Sequence, residues 1–133
     1  MNLLAIAAAG FLGTITRAFL ADLFTVGQVP GFPIQTLAVN FSGSFVLSFF
    51  MDLTLNRVAI DHRVRLAVCT GFLGAYTTFS TFAVESVGLL TTGAGWAGAA
   101  YITGTPLGCL IFAWLGGVSS RKIGHRRSGE ESQ

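Results

Sequence analysis

The stretch that decides the fold is Gly71-Phe-Leu-Gly-Ala-Tyr-Thr-Thr-Phe-Ser-Thr-Phe82. It lies within residues 66–84, a run without Asp, Glu, Lys or Arg. That run is apolar and nearly as long as the roughly 20 residues that cross a bilayer as a helix. Two glycines and a cluster of Thr and Ser are poor helix formers at the centre of such a run. We therefore predict a membrane-spanning helix that is interrupted at about residues 74–78.

The composition of the whole chain also indicates a membrane protein. Of its 133 residues, 52% are hydrophobic and 11% are charged. Soluble domains carry about 25% charged residues, so a water-soluble globule of this composition would expose large apolar patches. A net charge of +2 and two cysteines argue against nucleic-acid binding and against a disulfide scaffold. We predict an integral membrane protein embedded in a lipid bilayer, with no nucleic-acid partner.

Uncharged runs set the number of spans. They cover residues 1–16, 23–51, 66–84 and 86–120. They predict an all-α fold of four transmembrane helices, at about residues 3–24, 32–55, 65–90 and 95–118. Residues 119–133 are predicted to be a polar basic tail. Residues 1–133 then form a single four-helix unit, which leaves no room for a soluble catalytic domain.

The cationic residues predict the orientation. With four spans, the N-terminus, the loop at about residues 52–65 and the C-terminal tail lie on one side of the membrane. Seven of the eight Lys and Arg residues are on that side: Arg57, Arg63, Arg65, Arg121, Lys122, Arg126 and Arg127. Because cytoplasmic loops carry the excess of positive charge, we expect both termini in the cytoplasm and the protein in the cell membrane.

The eighth cation, Arg17, lies within the first predicted span. Gly10, Gly13 and Arg17 share one helix face at spacings of three and four, so a close helix contact and a costly charge occur together. Two interpretations stay open. Either Arg17 extends its side chain to the outer interface, or it is functional, as a fixed positive charge beside a route for anions or as a structural partner for the backbone.

Two further helices carry polar stripes. The stripes repeat every four residues: Thr36, Asn40, Ser44 and Ser48 in the second helix, and Tyr101, Thr105 and Cys109 in the fourth. Hydrocarbon offers these groups no hydrogen bonds. They either join helices to one another or line a narrow polar path, in which the amide of Asn40 can replace water around an anion.

The segment Gly74-Ala-Tyr-Thr-Thr-Phe-Ser-Thr-Phe82 resembles the signature of the Fluc/CrcB fluoride channels. Gly10-x-x-Gly13-x-x-x-Arg17 and Asn40-Phe-Ser-Gly43 are similar to motifs in the first and second helices of that family. The resemblance covers nearly the whole chain, in order. One departure is the pair Ala75-Tyr76, which replaces a Gly-Leu pair often found in the motif.

The resemblance implies an antiparallel dimer with two narrow fluoride pathways and a central structural sodium ion that is not transported. Backbone carbonyls of Gly74 and Thr77 from each subunit would hold the sodium. The residues implied for the pathway are Asn40, Phe79, Ser80, Thr81, Phe82, Tyr101 and Thr105. Ring edges of the two phenylalanines would face fluoride. Glu85 matches a family carboxylate, and its role stays open.

The implied function is passive export of cytoplasmic fluoride, which reduces fluoride toxicity. The strong charge bias bears on the partner subunit, because a chain with one preferred orientation does not readily supply its own inverted copy. We therefore hypothesise a heterodimer with an oppositely oriented paralogue. A homodimer is the alternative.

Two other functions are considered. A small multidrug exporter also has four helices, but it needs a titratable carboxylate within the first helix, where the single acid, Asp22, is near the end. A non-transporting membrane scaffold would use the polar stripes only to hold its helices together. An enzyme is not predicted, because the sequence shows no nucleophile–base constellation, metal-ligand spacing or phosphate loop.

Overall fold

The computed structural model describes residues 2–25 and 32–130, and it describes side chains for residues 3–23 and 32–122. The described secondary structure is entirely helical. The elements are α1 (Asn2–Thr25), α2 (Ile34–Asn56), α3 (His62–Leu66), a π-helix (Ala67–Leu73), α4 (Gly74–Tyr76), α5 (Phe79–Thr91) and α6 (Gly95–Glu130). Within these ranges there is no β-strand.

Four helical stretches are long and apolar enough to cross a membrane: Leu3–Leu23, Ile34–Asn56, His62–Thr91 and Gly95–Lys122. The third stretch consists of α3, the π-helix, α4 and α5 in succession. The predicted all-α fold with four spans is confirmed. The chain is therefore a multi-pass membrane protein.

The third span begins before residue 65, where the sequence placed its start. The side chain of Asp61 accepts a hydrogen bond from the backbone amide of Arg63 at 2.7 Å. A capping carboxylate of this kind satisfies an amide that the first helical turn leaves unpaired. The helix can therefore start at His62.

The last helix continues beyond residue 118, where the sequence placed its end, and the tail is helical as far as Glu130. Arg and Lys favour helices, and the sequence has no proline after Pro106 to stop this one. The side chains of the basic tail from residue 123 onward lie outside the described residues. So do Gly27, Pro30 and Gly31, which lie between the first and second predicted spans.

The spans pack in two parallel pairs whose contacts depend on glycine. In the first pair, α1 lies against the π-helix, and a Cβ at Gly13 would overlap the carbonyl oxygen of Phe72. In the second pair, α2 lies against α6, and a Cβ at Gly116 would overlap the carbonyl oxygen of Phe45. Glycine lets the backbones approach closely, as is common between membrane helices.

The backbone between α4 and α5 is extended rather than helical. Thr77 has φ −73° and ψ 155°, and Thr78 has φ −141° and ψ 122°. The hydroxyl oxygen of Thr78 accepts a hydrogen bond from the amide of Thr81 at 3.2 Å. Thr78 is therefore the N-cap of α5, which begins at Phe79.

Candidate functional site

Asn40 of α2 binds the extended backbone through both the nitrogen and the oxygen of its side-chain amide. Its Nδ2 donates to the carbonyl oxygen of Thr78 at 3.0 Å, and its Oδ1 accepts from the amide of Thr78 at 2.8 Å. The Asn40 side chain is buried. One N–H of Asn40 is thus used on the main chain, and the amide group has a second N–H.

These hydrogen bonds displace two helical ones. In a regular helix, the amides of Thr78 and Thr81 would donate to the carbonyls of Gly74 and Thr77, four residues earlier. Here the Thr78 amide donates to Asn40, and the Thr81 amide donates to the Thr78 hydroxyl. The carbonyl oxygens of Gly74 and Thr77 therefore lose these helical partners, the first at the start of α4 and the second within the extended pair.

A groove of about 330 Å³ lies beside this connection. We call it the main groove. Its walls come from α2, the α4–α5 connection, α5 and α6: Asn40, Ser44, Leu47, Thr77, Thr78, Phe79, Phe82, Thr105, Pro106 and Cys109. The wall thus combines hydroxyl and amide groups with two phenylalanine rings.

Aromatic rings form a short series along α5 and α6. The ring centroids of Phe79 and Phe82 are 5.7 Å apart, and those of Phe82 and Tyr101 are 5.2 Å apart. The planes of both pairs are tilted, by 48° and 45°. Phe79 is 79% exposed, whereas Tyr101 is 1% exposed. The series therefore runs from the open side of the groove into the helix packing.

The carboxylate of Glu85 is held by two hydroxyl donors. Thr36 donates to Oε1 at 2.9 Å, and Tyr101 donates to Oε2 at 2.7 Å. Thr36 and Tyr101 are buried and come from α2 and α6. Glu85 therefore ties three helices together on the far side of Phe82 from the groove opening.

A second, smaller cavity of about 160 Å³ lies between α1, α2 and α5. We call it the side cavity. It is lined by Arg17, Ala21, Gln35, Thr36, Val39, Thr78, Thr81 and Glu85. Arg17 and Glu85 therefore place opposite charges on the lining of the same cavity. Thr78 contributes to both cavities.

The site residues inferred from the sequence fall into several environments. Asn40, Phe79, Phe82 and Thr105 line the main groove together with Thr77, and Arg17 and Thr81 line the side cavity. Tyr101 packs behind Phe82 and bonds to Glu85. Ser80 is exposed, with its hydroxyl oxygen 3.4 Å from that of Thr78. Gly10 and Gly13 pack against the π-helix rather than a cavity.

Sequence reasoning gave no role to Thr78 or Pro106. Thr78 makes the hydrogen bonds described above, and Pro106 lines the main groove. For Thr78 a signal was present, because a threonine directly before a helical run is a typical N-cap. Thr36 and Cys109, which belong to the two polar stripes predicted from the sequence, line the side cavity and the main groove respectively.

The donor chemistry bears on the sodium ion that the sequence resemblance implies. Among the described residues there is no group of three or more His, Cys, Asp or Glu side chains that could hold a metal ion. The released carbonyls of Gly74 and Thr77 are neutral main-chain oxygens, the donor type that surrounds monovalent cations in channel proteins. These residues therefore fit a hard monovalent cation better than a transition metal.

Four membrane spans, a polar groove between helices and an extended main-chain segment beside it define the class of this protein: a multi-pass membrane protein with a polar site between its helices. The family model for CrcB-like protein, Camphor Resistance (CrcB), matches residues 4–117. The chain belongs to the CrcB family.

Curated relatives are similar over most of their length. The fluoride-specific ion channel FluC 2 of Geobacillus kaustophilus is 40% identical over 116 residues, which cover 87% of this chain and 90% of the relative. The FluC 2 channel of Moorella thermoacetica is 42% identical, with 86% of this chain and 92% of the relative covered. The FluC channel of Hydrogenobaculum is 37% identical, with 87% of this chain and 94% of the relative covered. These relatives are named as ion channels, not as enzymes.

Proposed function

We propose that this chain is a subunit of a fluoride-specific ion channel through which fluoride leaves the cytoplasm passively. The observation that carries the proposal is the main groove, whose hydroxyl, amide and aromatic groups meet beside an extended main-chain segment. Support also comes from the relatives, which are named as fluoride-specific channels and align over most of both chains. In this function the protein lowers fluoride toxicity.

The chemistry of the groove suits a small anion. Fluoride is compact and accepts hydrogen bonds strongly, so it can exchange water for the donors that the wall offers. These are the second N–H of Asn40 and the hydroxyl of Ser44. Thr105 lines the same wall, and its hydroxyl donates to the carbonyl oxygen of Tyr101 at 2.7 Å. Ring edges of Phe79 and Phe82 carry partial positive charge. A larger anion such as chloride would fit the donor spacing poorly.

We infer that Ser80, Thr81 and Tyr101 take part in the same pathway. The hydroxyls of Ser80 and Thr81 lie within hydrogen-bonding reach of Thr78, at 3.4 and 2.8 Å. Tyr101 stands behind Phe82 and bonds to Glu85. Arg17, in the side cavity, would add a positive charge near that end of the pathway. Gly10 and Gly13 would serve to hold α1 close to the third span.

We also propose that the break between α4 and α5 holds a structural sodium ion. The carbonyl oxygens of Gly74 and Thr77 would be its ligands, and the ion would neutralise the dipoles that the extended segment leaves unpaired. One chain supplies two such oxygens. A cation in a channel protein is surrounded by more, so a second subunit would complete the site.

The exposure of residues at the main groove and at the proposed cation site also supports a second subunit. Phe79, a proposed pathway residue, is 79% exposed, and Gly74 is exposed as well. A second subunit in inverted orientation would cover both. We propose an antiparallel dimer, formed with an oppositely oriented paralogue or with a second copy of this chain. The excess of cations in the loop at 57–65 and beyond residue 120 favours cytoplasmic termini in the cell membrane.

Fluoride efflux from liposomes tests the proposal. Vesicles loaded with potassium fluoride and containing the purified chain should release fluoride when a potassium ionophore lets K+ leave with it. Vesicles loaded with potassium chloride should retain chloride on the same timescale. Efflux that requires a proton gradient would instead indicate a coupled exporter. Retention of both anions by vesicles made with the chain alone and by vesicles made with the chain and its paralogue would overturn the proposal.

A further inference from the structure

Tyr76, the last residue of α4, makes a hydrogen bond that reaches across to α2. Its hydroxyl lies 2.8 Å from the hydroxyl oxygen of Ser42. The Ser42 oxygen is also 2.7 Å from the carbonyl oxygen of Ala38, one turn earlier. A serine hydroxyl has one proton. The consistent assignment is that Ser42 donates to Ala38 and accepts the proton of Tyr76.

The surroundings of Tyr76 leave this hydroxyl no alternative. The side chain is 7% exposed and packs in a cluster with Val39 and Leu73. Its ring stacks on Phe72, with centroids 6.1 Å apart and planes 8° from parallel. A phenol buried in such a cluster is costly unless it is paired, and the oxygen of Ser42 supplies that pairing.

The contact lies at the point where the helix ends. Tyr76 stands between Gly74 and Thr77, whose carbonyls are the proposed cation ligands. A Cβ at Gly43 would overlap the Thr77 side chain, so α2 touches this residue as well. One residue further, Asn40 bonds to both backbone groups of Thr78. The segment 40–43 of α2 thus holds three consecutive residues at the end of α4.

We propose that Tyr76 is a positioning residue for the cation site, an inference that rests on the proposed function. The hydrogen bond to Ser42 fixes the last turn of α4 on α2, and it thereby fixes the direction of the Gly74 and Thr77 carbonyls. An apolar side chain at position 76 fills the same cluster but leaves that turn free to shift. Tyr76 does not touch the ion.

The test measures sodium binding rather than conduction. The full chain, purified in detergent, is titrated with sodium chloride at constant ionic strength, with choline chloride as the replacement salt. A ligand that binds only the folded state stabilises it by RT ln(1 + [L]/Kd), so fitting the melting temperatures to this dependence on sodium concentration gives the dissociation constant of sodium. In Tyr76→Phe that dissociation constant should rise about 3- to 10-fold, the effect of one lost hydrogen bond.

Further variants separate positioning from general stability. Ser42→Ala should raise the sodium dissociation constant to the same degree as Tyr76→Phe, and the double variant should raise it no further. Ser42→Thr keeps the hydroxyl and should restore the sodium response. Thr54→Val is the matched control, because Thr54 is a buried residue of α2 whose hydroxyl bonds to Met51 of its own helix. Its sodium dissociation constant should equal that of the parent chain.

The outcomes distinguish this inference from the proposed function. If Tyr76→Phe and Ser42→Ala melt at lower temperatures but keep the parent sodium dependence, the hydroxyl contact only stabilises the fold and the inference is wrong. If the parent chain shows no sodium-dependent shift while fluoride efflux is intact, the cation site is wrong, and the inference is wrong with it. Loss of fluoride efflux in the parent chain overturns the proposed function itself.

Discussion

Asn40 and Thr78, 38 positions apart in the sequence, form a closed pair of hydrogen bonds in which the side-chain amide of one takes both backbone groups of the other. The distances are 3.0 Å to the Thr78 carbonyl and 2.8 Å from its amide. A carboxamide has a donor and an acceptor at this spacing, whereas the ionised carboxylate of the same shape has acceptors only. The pair therefore explains why asparagine, rather than another polar residue, stands at this position of α2.

Asn40→Asp should lower fluoride efflux by about 10-fold or more. The substitution keeps the shape but faces a second oxygen toward the Thr78 carbonyl, which loses its donor, and unsatisfied buried groups cost about 1–3 kcal/mol. Initial efflux rates from liposomes at equal protein content give the comparison. Asn56→Asp is the control: Asn56 is exposed near the end of α2 and its amide donates to Asp52 of the same helix, away from the main groove, so this change should leave the rate within about 2-fold. Equal loss in both variants would contradict a specific role for Asn40.

Phe79→Ile should reduce fluoride efflux while the protein stays folded. Isoleucine keeps the apolar volume but has no ring edge with partial positive charge, and Phe79 is too exposed to support the core. Phe19→Ile on the exposed face of α1 is the control and should conduct as the parent does. Unchanged efflux in both Phe79→Ile and Asn40→Asp would show that the main groove is not the pathway.

Gly13→Ala should destabilise the fold by about 1–3 kcal/mol, the usual effect of overpacking. The added Cβ would overlap the backbone carbonyl of Phe72, which cannot rotate away. Gly88→Ala is the control, because no atom lies within 4 Å of a Cβ there. That variant should be neutral or gain up to about 1 kcal/mol, since alanine is the better helix former. Thermal unfolding in detergent, followed by circular dichroism, measures both. A Gly13→Ala chain as stable as Gly88→Ala would contradict the close contact of α1 with the π-helix.

The sequence predicts the number of spans well because long uncharged runs have no other stable arrangement in a bilayer. It is less informative about where α4 ends. The two glycines draw the prediction to residues 74–78, whereas Gly74–Tyr76 is helical and the extended dihedral angles belong to Thr77 and Thr78. Those angles depend on hydrogen bonds from Asn40, a residue of another helix, which helix propensity cannot anticipate.

The π-helix at Ala67–Leu73 is likewise absent from the sequence prediction. Periodicity places residues on faces but does not distinguish a hydrogen-bond register of five from one of four. The same holds for the glycines of α6. Gly104 and Gly108 form a GxxxG motif, yet only Gly108 meets a neighbour, the ring of Phe41, and nothing lies within 4 Å of a Cβ at Gly104. Spacing indicated a contact but not which glycine makes it.

Thr36→Val should destabilise the chain by about 1–3 kcal/mol, because it removes one of the two donors that hold the carboxyl of Glu85. Valine matches threonine in shape, so packing is preserved. Thr103→Val is the matched control, since Thr103 is exposed and its hydroxyl bonds mainly to Ala99 in its own helix. That change should cost no more than about 0.5 kcal/mol. If the melting temperatures of both variants fall by the same amount, the hydrogen bond from Thr36 to Glu85 adds nothing to stability.

Cysteine labelling should find the chain in one orientation. Ala59→Cys, in the exposed loop between α2 and α3, and Thr92→Cys, in the turn after α5, are compared after Cys69 and Cys109 are replaced by alanine. Neither substitution alters the number of cations, so the charge bias that sets orientation is kept.

A membrane-impermeant maleimide applied to intact cells should label Thr92→Cys and leave Ala59→Cys unlabelled until the membrane is opened. One fixed orientation requires an oppositely inserted partner chain for an antiparallel assembly. Equal labelling of both positions from outside would mean that this chain inserts both ways, and the assembly would then be a homodimer.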